Sequence, residues 1–246
     1  MTYAVGLLVE DGLAMIADTR TNAGMDNFSV YRKLHTAEPA AGGLMVIATA
    51  GNLSVTQTAL QLAAQGLRDP DTGETMRLVD APNMFRAARL LGEAVRLVRK
   101  DLAPSMEAQN VSFDVTLLLG GRVGEGRLAL YLIYSAGNFI ECGPDSPFLQ
   151  IGERKYGKPI LDRAVKRQTA LWDAVKIGLI SFDSTMRSNL AVGLPLDLVV
   201  IPNDGEPIRR RIEVDDPYFH ELGKQWSAAL KAAHMAIPPP PYAEMS

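Results

Sequence analysis

The order of apolar runs along the chain constrains its fold more than any other feature. Strand-like runs come in pairs, at 3–9 and 12–18 and again at 111–119 and 128–134. Amphipathic helical patterns also come in pairs, and the two kinds of pair follow one another along the sequence. Adjacent strands favour antiparallel hairpins, whereas strand–helix–strand alternation would favour a parallel sheet. The order therefore predicts an α+β protein, a four-layer αββα sandwich of two antiparallel sheets.

The remaining elements follow from the same periodicity. Further strands are predicted at 44–50, 139–141, 196–201 and 208–214, and helices at 82–102, 157–165, 170–188 and 217–236, with another beginning after Asn52 as its N-cap. We interpret residues 1–236 as one domain, because no linker interrupts them. Residues 237–246 form a Pro-rich tail, and its four consecutive prolines predict extended polyproline.

Composition excludes several classes of function. The net charge is −3 and both signs are mixed along the chain, so we expect no nucleic-acid surface. A single cysteine, Cys142, and three scattered histidines favour neither a disulfide nor a His- or Cys-centred metal site. No charge-free stretch reaches transmembrane length and no secretion signal begins the chain, so we expect a cytoplasmic protein without membrane contact.

The second residue is a candidate nucleophile. If Met1 is removed, Thr2 carries a free α-amine beside its own hydroxyl, and one residue can then supply nucleophile and base. The run after Thr2 turns at residues 10–12 and returns to Asp18, so a hairpin would bring this carboxylate close to Thr2. Taken alone, Thr2 is an ordinary second residue, and other segments must support the hypothesis.

Three further segments offer residues that suit a threonine nucleophile. Lys33 near the hydroxyl would lower its pKa or move its proton, and Asp18 would keep Lys33 charged. Gly51 ends a predicted strand at a helix N-terminus, where its N–H would hold a developing oxyanion. Asp183 and Ser188 would hydrogen-bond the amine. Each of these residues alone is more typical of a structural or surface role.

Together these segments resemble the proteasome-type β subunits of the N-terminal nucleophile hydrolases, and within them the Anbu group of bacterial ancestral β-type subunits. The resemblance is carried by Thr2 and by residues 18–24, 134–139, 152–161 and 183–190. It spans residues 2–203, and the C-terminal helix and tail fit the same group.

The resemblance implies an N-terminal threonine peptidase that assembles with itself into rings or open helices. It implies Thr2 as nucleophile, Asp18 and Lys33 as its charge pair, Gly51 as oxyanion donor, and Asp183 and Ser188 at the amine. Peptide or protein substrates are expected, and whether an ATPase unfoldase takes part is left open. No cofactor is required, although the backbone carbonyls of Phe182, Thr185 and Ser188 are a candidate structural cation site.

One departure from the family pattern is Glu153, which follows Gly152 where proteasome subunits carry a serine. A carboxylate there would bind the ammonium form of Thr2 and raise the pKa of its amine, which weakens the amine as a base. Glu153, Arg20 and Asn189 are therefore candidate modulators. Two alternatives stay open: an assembly or scaffold subunit with little activity, and an amidase acting on a substrate other than protein.

Overall fold

Two five-stranded antiparallel sheets form the middle of the molecule. The structure is a computed structural model, and it describes residues 2–22, 28–69 and 72–244. The first sheet has the spatial order β12 (Phe148–Gly152), β1 (Tyr3–Val9), β2 (Gly12–Asp18), β13 (Leu196–Pro202) and β14 (Ile208–Ile212). The second has the order β11 (Phe139–Glu141), β10 (Ala129–Ile133), β9 (Val115–Val123), β6 (Gly43–Gly51) and β5 (Leu34–Ala37). Two short hairpins pair β3 (Arg20–Asn22) with β4 (Phe28–Val30), and β7 (Leu67–Arg68) with β8 (Thr75–Met76).

Within the described residues, five α-helices cover the outer faces of the sheets. They are α1 (Leu53–Gln65), α2 (Met84–Glu107), α3 (Lys158–Ala164), α4 (Leu171–Ser188) and α5 (Pro217–Ala236), with 3₁₀ turns at Leu78–Asp80 and Pro241–Glu244. Side-chain oxygens of Asn52, Asn83 and Asp216 cap α1, α2 and α5 by accepting from backbone N–H groups of the first turn.

Three apolar clusters show how the layers pack. One lies between the second sheet and helices α1 and α2, and another between the first sheet and helices α3, α4 and α5. The third joins the facing sides of the two sheets, with Met15 and Leu13 of one sheet and Leu118 and Leu130 of the other. Strands β1 and β2 are buried on both faces, which explains why their sequences are almost continuously apolar. The predicted combination of two antiparallel sheets with helices is confirmed, and the three clusters agree with the predicted αββα layering.

Strand register places Asp18 at the edge where the candidate site lies. Ala4 pairs with Ala17 in the β1–β2 hairpin, and Leu196 of β13 pairs with Asp18 on the other side. Asp18 therefore ends β2 beside the start of β1, held between two strands. This is the position that the hairpin pattern predicts.

Several element boundaries differ from the sequence prediction: for example, β9 begins at Val115 rather than at residue 111, and β14 ends at Ile212 rather than at residue 214. Strand β9 continues through Gly120 and Gly121 to Val123, because both glycines pair in register with β6 and β10. Helix α2 continues beyond residue 102 to Glu107 and contains Pro104, although proline cannot donate the usual hydrogen bond to the carbonyl four residues earlier. The tail is not wholly extended polyproline, since Pro241 begins a 3₁₀ turn, and proline is compatible with the first turn of a helix.

Among the described residues, no helix is both long and apolar enough to cross a lipid bilayer.

Candidate active site

Thr2 directly precedes β1 and lines the same cavity as Lys33 and Gly51. Its backbone carbonyl accepts a hydrogen bond from the N–H of Glu153 at 2.7 Å. The neighbouring Gly152 has φ +77°, and a Cβ there would come within 2.0 Å of the Thr2 carbonyl oxygen. The close approach of β12 to Thr2 therefore requires glycine at position 152. Met1 lies outside the described residues.

Asp18 and Lys33 form a buried ion pair beside Thr2. The Lys33 Nζ donates to both carboxylate oxygens, at 2.9 and 3.0 Å, and to the carbonyl of Arg20 at 2.5 Å. Asp18 also accepts from the backbone N–H of Tyr3 at 3.0 Å. The carboxylate thus connects the lysine to the residue that follows Thr2.

Burial disfavours the charged form of each partner, and each partner opposes that effect in the other. Burial raises the pKa of Asp18 above its ordinary value, and the charge of Lys33 counteracts this. Burial lowers the pKa of Lys33, and Asp18 counteracts that shift. A lysine with a lowered pKa releases its proton more readily than one at the surface, which suits a group that exchanges a proton with a neighbouring hydroxyl.

Gly51 ends β6 and opens onto the same space. It has φ +109°, and a Cβ at this position would lie 2.3 Å from the Asp114 carbonyl oxygen, so glycine is required there. Asn52 follows as the N-cap of α1, and the positive end of that helix points toward the region where an oxyanion would form. Thr49 of β6 donates its N–H to the Lys33 carbonyl at 2.9 Å, which ties the lysine segment to this strand.

An open cavity of about 850 Å³ brings these residues together. Thr2, Lys33 and Gly51 line it, and much of the remaining wall is polar, with Thr21, Thr49, Asn52, Asp114, Gln150 and Arg154. The predicted pocket residues Thr21, Thr49 and Asn52 therefore share one cavity with the candidate nucleophile.

Asp183 and Ser188 are not among the residues that line this cavity. Helix α4 turns Ser181, Phe182 and Thr185 into the core, so Asp183 faces another direction. Its carboxylate binds Arg187 at 2.9 Å and lies against α5, where a Cβ at Gly223 would approach it to 2.6 Å. Among the described contacts, none joins Asp183 or Ser188 to Thr2. Their role at the Thr2 amine therefore stays a prediction.

Two of the candidate modulators, Glu153 and Asn189, contact each other close to Thr2, whose backbone carbonyl accepts from the Glu153 N–H. The Glu153 side chain is buried and accepts from the Asn189 side-chain amide at 3.0 Å and from the Lys155 N–H at 3.4 Å. Asn189 is itself oriented by accepting from the N–H of Ala191 at 3.0 Å. The third, Arg20, gives its backbone carbonyl to Lys33 and donates from its side chain to the Leu190 carbonyl at 3.0 Å.

A buried hydrogen-bond chain behind Thr2 was not predicted from the sequence. Gln150 donates to the Tyr3 hydroxyl at 2.6 Å, and that hydroxyl lies 3.0 Å from Ser181 Oγ. Because Ser181 donates to the Gly178 carbonyl, Tyr3 donates to Ser181. Burial raises the pKa of Tyr3 to about 12, so its hydroxyl keeps its proton. The only sequence signal was a tyrosine within an otherwise apolar strand.

Among the described residues, no group of three or more His, Cys, Asp or Glu side chains is placed so that it could bind a metal ion. Of the carbonyls in the candidate cation site, that of Thr185 accepts from the Asn189 N–H at 2.8 Å. The cation site stays a prediction.

Comparison with known proteins gives one clear result. No protein-family model and no curated protein matches the chain. Solved structures do. A Gly-1 mutant of Anbu from Hyphomicrobium sp. strain MC1 is 43% identical over 97% of this chain and 99% of its own, with a TM-score of 0.87. Anbu, the ancestral β-subunit, from Yersinia bercovieri is 41% identical over 97% and 98%, with a TM-score of 0.84.

A third similar structure is described as the helical assembly of the Anbu complex from Pseudomonas aeruginosa. It is 41% identical over 98% of this chain and 99% of its own, with a TM-score of 0.85. Each of these similarities therefore extends over nearly the whole chain, including the candidate site.

Proposed function

This chain belongs to the Anbu family of ancestral proteasome-type β-subunits, and we propose that it is a self-assembling N-terminal threonine hydrolase that cleaves amide bonds of peptides or unstructured proteins. One observation carries the proposal. Thr2, Lys33 and Gly51 line one cavity, and Lys33 is held there by a buried Asp18. A nucleophile with its own amine as base, a positive charge beside it and an oxyanion donor are the parts that the proposed hydrolysis needs.

The proposed reaction begins once Met1 is removed. Thr2 Oγ attacks the carbonyl carbon of the substrate, and its proton passes to the Thr2 α-amine, directly or through a water molecule. Lys33 lowers the pKa of the hydroxyl by its charge, and Asp18 keeps Lys33 oriented. The Gly51 N–H, at the N-terminus of α1, stabilises the oxyanion of the tetrahedral intermediate.

Collapse of that intermediate breaks the C–N bond. The departing nitrogen takes the proton from the Thr2 amine, and an ester between Thr2 Oγ and the acyl group remains. A water molecule, deprotonated by the same amine, then hydrolyses the ester and restores the hydroxyl. Atoms and charges balance without a cofactor, so we propose that none takes part in the chemistry.

Self-association supports the proposal from outside the site. The Pseudomonas aeruginosa relative was solved as a helical assembly, and it aligns with 98% of this chain. We infer that this chain also associates with copies of itself and that assembly surrounds the open cavity with neighbouring subunits. Such enclosure would restrict entry to extended substrates in the cytoplasm, where we place the protein.

Glu153 favours a second candidate function. Glu153 donates its backbone N–H to the Thr2 carbonyl, and its side chain is buried. A carboxylate that reached the Thr2 amine would hold it as an ammonium ion, which is a poor base at neutral pH. Under this alternative the chain is an assembly subunit with little hydrolase activity, built on the same fold.

The experiment is hydrolysis of unstructured protein and of short fluorogenic peptides by the processed protein and its Thr2→Ala variant. The proposal predicts that Thr2→Ala abolishes turnover. Thr58→Ala is a matched control, because Thr58 lies exposed on α1 and only bonds within its own helix. Equal turnover by Thr2→Ala and wild type would overturn the proposal. Absence of turnover in the processed wild-type protein would favour the assembly subunit.

A further inference from the structure

Tyr3 is a buried polar side chain that the proposed reaction does not use. It is the only residue of β1 with a polar side chain, and it is 0% exposed to solvent. A buried hydroxyl costs free energy unless its hydrogen bonds are made, whereas valine or leucine would fill the same kind of strand position without that requirement. Packing alone therefore does not account for the Tyr3 hydroxyl.

The Tyr3 side chain is held at its ring and at its tip. The hydroxyl accepts from Gln150 Nε2 at 2.6 Å and donates to Ser181 Oγ at 3.0 Å. The ring packs on Phe182, with a centroid distance of 4.4 Å. Gly157 leaves room for the hydroxyl, because a Cβ at that position would lie 2.3 Å from the Tyr3 oxygen. Contacts from β12, from α4 and from the segment before α3 thus fix one placement of the ring.

The hydrogen bonds of this group run in one direction. Ser181 donates to the Gly178 carbonyl at 2.6 Å, which leaves the serine oxygen to accept from Tyr3. Burial raises the pKa of Tyr3 to about 12, so its hydroxyl remains a donor. Gln150, the other partner, is buried and lines the cavity that Thr2 also lines. The group therefore connects helix α4 with the wall of the candidate active site.

The backbone of Tyr3 is fixed on the side of the candidate active site. Its N–H donates to Asp18 Oδ1 at 3.0 Å, and the same oxygen accepts from Lys33 Nζ at 2.9 Å. This N–H belongs to the peptide group that joins Thr2 to Tyr3, and the carbonyl of that group accepts from the Glu153 N–H at 2.7 Å. Both polar atoms of the peptide group are therefore held.

A nucleophile at a chain terminus needs support of this kind. In the proposed function Thr2 becomes the first residue, so the chain holds it from one side only. Chain ends are poorly ordered unless neighbouring contacts hold them, and a displacement of about 1 Å can slow a reaction by about 10²-fold. Tyr3 is the residue through which Thr2 stays attached to the fold.

We propose that Tyr3 is a positioning residue, whose hydroxyl, held between Gln150 and Ser181, fixes the Thr2–Tyr3 peptide group on Asp18 and keeps Thr2 in the cavity that Lys33 also lines. The inference rests on the proposed function. It adds to the site a side chain that acts through Thr2 and Asp18 and does not itself contact the substrate.

The test measures covalent labelling of Thr2 by an epoxyketone, followed by intact mass at several probe concentrations. Tyr3→Phe removes the hydroxyl and keeps the ring. We expect the maximal labelling rate constant, kinact, to fall about tenfold or more because Thr2 is displaced, while the half-saturating probe concentration, KI, stays unchanged. A partly unfolded variant would instead form less adduct in total, with kinact unchanged in its folded fraction.

Tyr131→Phe is the matched control. Tyr131 is also buried, but it lies on β10, where it joins the cluster beneath α1 and α2 and does not line the cavity. Its kinact should equal that of the wild type.

Ser181→Ala tests the path through the hydroxyl, because it removes the acceptor of the Tyr3 proton. It should also lower kinact. The double variant Tyr3→Phe with Ser181→Ala should be no slower than the slower single variant, since both changes remove the same hydrogen bond. Effects that multiply in the double variant would overturn this path.

The outcomes separate this inference from the proposed function. A processed wild-type protein that forms no adduct at Thr2 would overturn both. Wild-type labelling at Thr2 together with an unchanged kinact in Tyr3→Phe would overturn the positioning role alone. Equal slowing by Tyr131→Phe would also overturn it, because the loss would then follow from removing any buried tyrosine hydroxyl.

Discussion

At the scale of single residues, Asp18 and Lys33 stand out because two charged side chains are buried together, which costs solvation free energy. Both side chains are nearly inaccessible to water, and a buried ion pair is stable only when its hydrogen bonds are well made. Here Asp18 accepts from Lys33 and from the Tyr3 N–H, and Lys33 also reaches the Arg20 carbonyl. Removing one partner leaves the other charge buried and unpaired.

We therefore predict that Lys33→Met destabilises the fold by about 3–5 kcal/mol, because Asp18 loses its counter-charge in a buried position. The exposed pair of Lys158 and Asp162 provides a control, and Lys158→Met should cost at most about 1 kcal/mol. Urea unfolding of both variants at neutral pH measures the difference. Equal midpoints for the two variants would mean that the Asp18–Lys33 pair is not buried in solution.

At this scale, the position of a side chain was predictable where strand pairing fixed the backbone, and was not predictable where the face of a helix decided it. Asp18 was predictable because a hairpin with a short turn leaves little choice of register. Asp183 was not, because one step along a helix rotates a side chain by about 100° and only the packing of Phe182 settles the direction. Tyr3, Gln150 and Ser181 come from three distant segments, so their contact depends on the tertiary fold.

At the scale of elements, the end of β6 is the point where backbone conformation and proposed chemistry meet. We predict that Gly51→Ala costs at least about 2 kcal/mol, because it combines a positive φ with a clash against the Asp114 carbonyl. Displacing the proposed oxyanion donor should also slow hydrolysis by about 10²–10³-fold.

Gly42→Ala is the control for that prediction. Gly42 also has a positive φ, +88°, but a Cβ there meets nothing within 4 Å. Only backbone strain of about 1–2 kcal/mol is expected, with hydrolysis unchanged. If Gly51→Ala retains full activity, the Gly51 N–H does not hold the oxyanion.

His35, on strand β5, should contribute to the pH dependence of the free energy of unfolding. Burial lowers the pKa of His35 below its ordinary value of 6.5, and the nearby Arg32 lowers it further, while Asp197 opposes both. The unfolded chain therefore binds a proton at His35 before the folded chain does, and stability is lost as pH falls below 6.5. His35→Gln should reduce the loss of stability between pH 7 and pH 5.5.

The measurement compares denaturant midpoints of wild type and His35→Gln at both pH values. His234→Gln, at an exposed position near the end of α5, serves as the control. An identical change with pH in wild type and His35→Gln would show that His35 protonates equally in the folded and unfolded states.

Element boundaries were less predictable than the elements themselves. The glycines at 120 and 121 and the proline at 104 are ordinarily signals of an end, but here they lie inside β9 and α2. Cross-strand pairing on both sides of β9 outweighs the local preference of glycine, and tertiary burial of α2 outweighs that of proline.

At the scale of the whole molecule, the layered architecture followed from the order of strand pairs and helix pairs. Continuous apolar runs in β1 and β2 required cover on both faces, and the hairpin order of the strands makes a sandwich with outer helices the arrangement that provides it. The association of copies could not be derived in the same way, because a pattern of apolar residues in the sequence does not show which surfaces the rest of the chain covers.

The intact mass of the purified protein, before and after treatment with a threonine-directed epoxyketone or β-lactone, tests whether Thr2 is an activated nucleophile. Our account predicts a mass without Met1 and one adduct per chain, located at Thr2 and absent from Thr2→Ala. A processed wild-type chain that forms no adduct, or forms the same adduct in Thr2→Ala, would contradict it.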